Sequence, residues 1–245
     1  MIIDPGHGGS ESIGARGAVT VNGQRVLEKT VNLQIAKRLA GLIQQAGNME
    51  FMLTRTDDRY VALFDRVQMA EKYAEKMNAQ ALFVSIHCNW YSRSSPKGIE
   101  FYYLSDSDKV ANSELARLEN DLDLKRDFEK NSMLAKIIGE MERDLLRQRR
   151  EQSYWLCVTM NRAFRQAAYF RENNRGVKSE KFTVLHNFLM PSILVEVGFM
   201  SNPAECKLLM DPQFQETAAK AIYNGANLYF SDLDPEFEGK AYPIR

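Results

Sequence analysis

The chain has 245 residues, enough for one sizeable α/β core and short for two domains with a linker. Its hydrophobic and charged fractions, 44% and 26%, are those of an ordinary globular protein. Lysine plus arginine equals aspartate plus glutamate at 32 each, so nucleic acid is not expected as the main partner. No apolar run reaches the length of a membrane span. Met1 leads straight into a predicted strand, so no signal peptide is expected within the chain. The three cysteines, Cys88, Cys157 and Cys206, have neither zinc-ribbon nor redox-pair spacing.

In chain order, Ile2-Ile3 reads as the end of a short strand, followed by a glycine-rich loop through Gly9. Leu33, Ala36, Leu39, Ala40 and Ile43 recur at helical spacing and predict a helix over Lys29 to Gln45, with Gly47 as its stop. Met49 to Leu53 reads as a short strand, and Leu63, Val67, Ala70, Ala74 and Met77 as one face of a second helix. Ala81 to Ile86 is almost wholly apolar, as in a strand buried on both faces. Ile99 to Leu104 is another strand. Ser105 to about Arg175 is charged and helix-prone, with Met133, Ile137, Met141 and Leu145 recurring every fourth residue, and reads as a helical insertion lying on the core. Arg147, Arg149 and Arg150 fit a solvated helix face. Ile193 to Val197 is a late β-branched strand after Pro191, Phe214 to Tyr229 a closing helix, and Ser231 to Arg245 an extended tail. Strands alternating with helices predict an α/β fold, a mixed, mostly parallel sheet flanked by helices on both faces.

Two of the three histidines occupy unusual places. His7 lies in the loop after the first strand, and His87 at the end of the buried one, where open α/β sheets collect ligands. A catalytic zinc takes three protein ligands and leaves one position open. Glu28, just ahead of the first long helix, fits a third ligand and equally fits a plain first-turn acid favoured by the helix dipole. Glu196 stands alone in the apolar run Leu194-Val195-Glu196-Val197. Burial would raise its pKa and suit it to general base and acid work; solvent exposure or an arginine partner would make it structural. His186 reads as peripheral. No His-Glu-x-x-His spacing occurs.

These segments together resemble the zinc-dependent N-acetylmuramoyl-L-alanine amidases of bacterial cell-wall remodelling. The resemblance rests on Ile3-Asp4-Pro5-Gly6-His7-Gly8-Gly9, Glu28, Thr54-Arg55, Val84-Ser85-Ile86-His87-Cys88-Asn89, Gly98-Ile99-Glu100, Arg175-Gly176-Val177-Lys178, and Pro191 through Asn202, in family order. It implies a zinc-exopeptidase-like fold and one catalytic domain over 1–245, with the insertion at about 105–175. It implies zinc on His7, Glu28 and His87, Glu196 as the catalytic carboxylate, and peptidoglycan as substrate. The cut would fall between N-acetylmuramic acid and the L-alanine of the stem peptide. Asn89 and the backbone near His87 would orient the ligands. Cys88 departs from a usual small residue and His186 from a common arginine. Division-type amidases further suggest autoinhibition. Ala116-Arg117-Leu118-Glu119-Asn120 is similar to the segment that carries a blocking glutamate, so Glu119 is the expected inhibitory metal contact, and an activator protein would dock on the insertion. A periplasmic or otherwise exported location follows from the substrate. The competing readings are a zinc carboxypeptidase and a non-catalytic wall-binding regulator.

Overall fold

A computed structural model describes residues 1–105, 114–120, 140–187 and 189–232. Within the predicted insertion, Met133 and Ile137 lie outside these residues, as does the tail beyond 232.

Six strands form the central sheet: β1 (Ile2–Pro5), β4 (Met52–Leu53), β5 (Phe83–Asn89), β6 (Ile99–Leu104), β7 (Asn174–Glu180) and β8 (Ser192–Phe199), in the order β4-β1-β5-β8-β6-β7. β4, β1, β5 and β8 are mutually parallel; β6 is antiparallel to β8, and β7 runs parallel to β6. The expected mixed, mostly parallel sheet is therefore present. β2 (Arg16–Val21) and β3 (Gln24–Leu27) form a separate hairpin that the hydrophobic pattern did not announce, because most of its residues face water.

Strand alternation sorts the sheet's side chains into two layers. Ile3, Val84, Ile86, Ile193, Val195 and Val197 join one core cluster. It is covered by α1 (Glu28–Ala46), α4 (Glu140–Phe164) and α5 (Pro212–Asp232). Ile2, Phe83, Leu194 and Tyr102 point the other way, into a second cluster with Leu115, Ala116, Val184 and Leu185. Its covering elements are α2 (Leu63–Met77), the short α3 (Glu114–Asn120) and a 3₁₀ turn at Thr183–Leu185. Each buried aliphatic or aromatic side chain contributes roughly 1.5–3 kcal/mol, so both layers are needed to stabilise the sheet.

Two sequence expectations change. Leu156, Cys157, Met160 and Phe164 of α4 are fully buried in the first cluster, so this half of the predicted insertion is a core helix and not an addition lying on the core. The charged residues that disguised it occupy its N-terminal turns. The insertion's last residues enter β7, an edge strand whose polar sequence NRGVKSE gave no alternating apolar signal.

Candidate metal centre

The same alternation decides what meets at the carboxyl ends of β1, β5 and β8. Asp4, Ser85, His87 and Glu196 share the face of Ile2, Phe83 and Leu194, and His87 is register-paired with Glu196. β5 runs on through His87 to Asn89, so His87 lies within the strand rather than beyond it. Glu28 is the first residue of α1, not a residue ahead of it. Glu119, on α3, comes down from the layer above.

Ligand-type atoms of His7, Glu28, His87 and Glu119 all lie within 4.8 Å of one another. His7 Nε2 is 3.2 Å from Glu28 Oε2 and 3.0 Å from Glu119 Oε2. His87 Nδ1 is 3.1 Å from Glu28 Oε1 and 2.9 Å from Glu119 Oε2. Nearby groups fix each side chain. Ser12 Oγ lies 2.9 Å from His7 Nδ1, which turns Nε2 inward. Glu28 accepts from the backbone N–H of Ala15 and Cys88 and from Asn32 Nδ2. A Cβ at Gly6 would sit 2.2 Å from His87 Nε2, and one at Gly14 2.5 Å from Glu28 Oε2, so both positions require the absence of a side chain.

The loop that carries His7 is held from below by two buried arginines. His7 adopts φ 61°, left-handed backbone that a non-glycine residue takes only when its surroundings impose it. Arg55 donates to the carbonyls of Pro5, Gly6 and Lys29. Arg66 donates to the carbonyls of Pro5 and His7 and forms a 2.7 Å ion pair with Asp4. Asp4 also accepts from Thr54 and Ser85. Arg66, Ser12 and Asn32 do not stand out in the sequence, and Asp4 enters only as part of the Ile3–Gly9 motif. The signal for Arg66 was its place among Leu63, Val67 and Ala70, on the apolar face of α2.

The donor set fits a divalent cation. His7 Nε2 and Glu119 Oε2 are buried and lie 3.0 Å apart without regular hydrogen-bond geometry to any described residue, and imidazole plus carboxylate is a zinc-type ligand set. Among the described residues, the two carboxylates of Glu28 and Glu119 have the two imidazoles as their positive partners. Burial disfavours protonating His7, yet Glu28 and Glu119 outweigh it and push its pKa up to about 10. The pocket demands positive charge, and a metal would supply it without protons.

Glu196 is fully buried, and among the described residues neither of its oxygens has a hydrogen-bond partner. Burial pushes its carboxyl well above the usual range, aided by Glu119, Glu28 and Glu100. Glu196 therefore does not face solvent, and no arginine pairs with it among the described residues. Asn89 does not touch the cluster: its Nδ2 donates to Glu100, and the orienting backbone group is the Cys88 N–H. Cys88 itself is buried in the first core cluster. His186 is exposed just after the 3₁₀ turn, with Nδ1 3.2 Å from the Thr183 carbonyl.

Residues 1–227 match the family described as N-acetylmuramoyl-L-alanine amidase. AmiC of Escherichia coli O6:H1 is 32% identical over 240 residues, covering 95% of this chain and 53% of AmiC, so the chain spans about half of that relative. The structure of AmiC2 of Nostoc punctiforme superposes with a TM-score of 0.65 at 30% identity, over 94% of this chain and 96% of that one. The CwlD amidase of Clostridioides difficile, solved in complex with the GerS lipoprotein, gives 0.65 at 27% identity, over 94% and 97%.

Proposed function

We propose, from the premise that this chain belongs to the N-acetylmuramoyl-L-alanine amidase family, that it hydrolyses the amide joining N-acetylmuramic acid to the L-alanine of the peptidoglycan stem peptide. The observation that carries this reading is the juxtaposition of a His–Glu–His donor set with the buried, unpartnered carboxylate of Glu196. His7, Glu28 and His87 would hold zinc, which when bound lowers the pKa of a water and polarises the scissile carbonyl. Glu196 accepts a proton from the attacking water and delivers it to the alanine nitrogen as the C–N bond breaks. Its raised pKa suits a group that must take up and release a proton near neutrality.

Glu119 faces both histidines, where a substrate carbonyl and water need room. We infer that this is a resting state in which Glu119 occupies the fourth position and that a partner withdraws α3. The CwlD–GerS complex, a lipoprotein bound to a similar amidase, supports a protein partner. A wall substrate, and relatives named as probable cell wall amidases, support an exported location, and cutting the wall is the chemistry that a role in cell separation would need.

The test is a purified Glu119→Ala variant incubated with isolated cell wall, with and without chelator. Release of stem peptides with free N-terminal L-alanine, lost on chelation and restored by zinc, is expected. A folded, zinc-loaded variant that releases no peptide, or that trims only peptide ends, overturns the reading. The second outcome would favour a carboxypeptidase.

A further inference from the structure

Beyond Asp4 and Glu196, the sheet carries a further buried carboxylate on the same face. Glu100 is register-paired with Glu196 across β6 and β8. Asn89 Nδ2 and the Tyr102 hydroxyl donate to its Oε2, each at 2.6 Å. Arg175 Nε, at 2.5 Å, and Lys178 Nζ both donate to Oε1. Two cations thus share one acid, and Glu100 is the acidic partner of both among the described residues. At hydrogen-bond distance the two positive charges meet one carboxylate, and Lys178 also acts through space on Glu196.

A distortion of the strand makes this possible. Residues three apart on a regular strand point to opposite faces. The β6–β7 register shifts between Ile99 and Phe101, and Gly176 takes φ 80°, as in a bulge with a left-handed glycine. The extra residue brings Arg175 and Lys178 to the same side. Their side chains remain 41% and 37% exposed, while Glu100 beneath them is 3% exposed. Arg175 uses only Nε on Glu100 and lies 5.3 Å from the Phe199 ring centroid; its two Nη groups donate to no acceptor among the described residues. An oriented guanidinium with its outer edge free is built to receive a planar carboxylate.

We propose that Arg175, supported by Lys178 and oriented by Glu100, is a specificity residue that binds the free carboxylate next to the scissile amide in the stem peptide. The proposal rests on the amidase reading above. In peptidoglycan the second stem residue is joined through its side-chain carboxyl, which leaves its α-carboxylate free or amidated according to the wall. The cationic pair stands two strand spacings from β8, about 10 Å. Its long side chains reach back from there, a span suited to the residue after L-alanine.

The experiment compares two soluble muropeptides that differ only at that group, carboxylate or carboxamide, in a Glu119→Ala background. Arg175→Gln is expected to raise KM roughly tenfold for the carboxylate substrate, the scale of one charge-assisted hydrogen bond. The kcat, and both parameters for the carboxamide, should stay unchanged. Arg175→Lys keeps a charge beside Glu100 and removes the fork, so it should match the parent in melting temperature and still lose the discrimination. Equal KM changes on both substrates, or none on either, overturn the proposal and make Arg175 a structural partner of Glu100. A parent protein that cleaves neither substrate would instead count against the amidase reading.

Discussion

At the scale of single residues, the centre separates groups that would hold metal from the group that would move protons. Glu196 belongs to the second kind, because its carboxylate lies outside the four-residue donor cluster. Glu196→Gln preserves shape and removes the proton acceptor. Turnover of wall substrate in a Glu119→Ala background should fall by about 100-fold or more, the usual scale of general-base contributions, with zinc content by elemental analysis unchanged. Loss of zinc in a folded Glu196→Gln protein would make it a ligand. Arg66 offers a different single-residue test. Its removal leaves the buried Asp4 carboxylate without its ion-pair partner and frees the carbonyls of Pro5 and His7. Breaking one side of a buried pair costs about 3–5 kcal/mol, so Arg66→Ala should shift the urea midpoint by that equivalent. An unchanged midpoint would mean that the loop holds His7 without the arginine.

At the scale of elements, α3 is short, and its hold on the fold is correspondingly local. Leu115 and Ala116 are buried against the second core cluster, and Asn120 bonds both the Lys181 carbonyl and the Thr183 N–H at the 3₁₀ turn. Asn120→Ala should loosen the helix without touching the donor cluster. Basal wall hydrolysis should then rise toward that of Glu119→Ala, measured as dye release with no partner added. Basal hydrolysis that stays low in Asn120→Ala while Glu119→Ala is active would show that the hydrogen bonds are not what holds the helix down. Legibility in the sequence also divides by element. Strands buried on both faces, such as Phe83–Asn89 and Ser192–Phe199, stood out as apolar runs, and with them the places of His87 and Glu196. Edge strand β7 and the β2–β3 hairpin did not, because backbone pairing and glycine turns form them more than apolar periodicity. Ser12, Asn32 and Arg66 act through hydrogen bonds to groups far along the chain, which no local spacing encodes.

At the scale of the whole molecule, acid should weaken the fold through carboxylates that are ionised and partnered inside it. Burial alone would raise the Asp4 carboxyl, but Arg66, Ser85 and Thr54 outweigh it and hold it below its ordinary range. A depressed folded-state pKa means the unfolded chain binds the proton first as pH falls. The stabilisation is full above the unfolded value near 3.9 and is lost as pH drops through the lower folded one. Glu100, lowered by Arg175 and Lys178 against its burial, acts in the same sense. Melting temperature should change little from these groups between pH 7 and about 5 and fall below about 4, with a shallower fall in Asp4→Asn after allowing for its lower starting stability. Metal acts on stability at this scale too. A ligand that binds only the folded chain stabilises it by about 2.7 kcal/mol at one hundred times its dissociation constant. Chelation should therefore lower the melting temperature of the parent and leave that of His7→Ala nearly unmoved.

Glu119 sits on the same chain as the histidines it faces, so the block proposed for it would be one that dilution cannot remove. A tethered group competes at an effective concentration on the order of millimolar, whatever the protein concentration. Restraint of this kind is unimolecular: specific activity should stay constant when the enzyme is diluted, whereas inhibition by a second copy would relax. It also sets the terms for anything that opens the site. On the proposed reading, soluble carboxylates at micromolar levels would not outcompete a neighbour so placed, and a partner would succeed by moving the short helix rather than by contending for the metal.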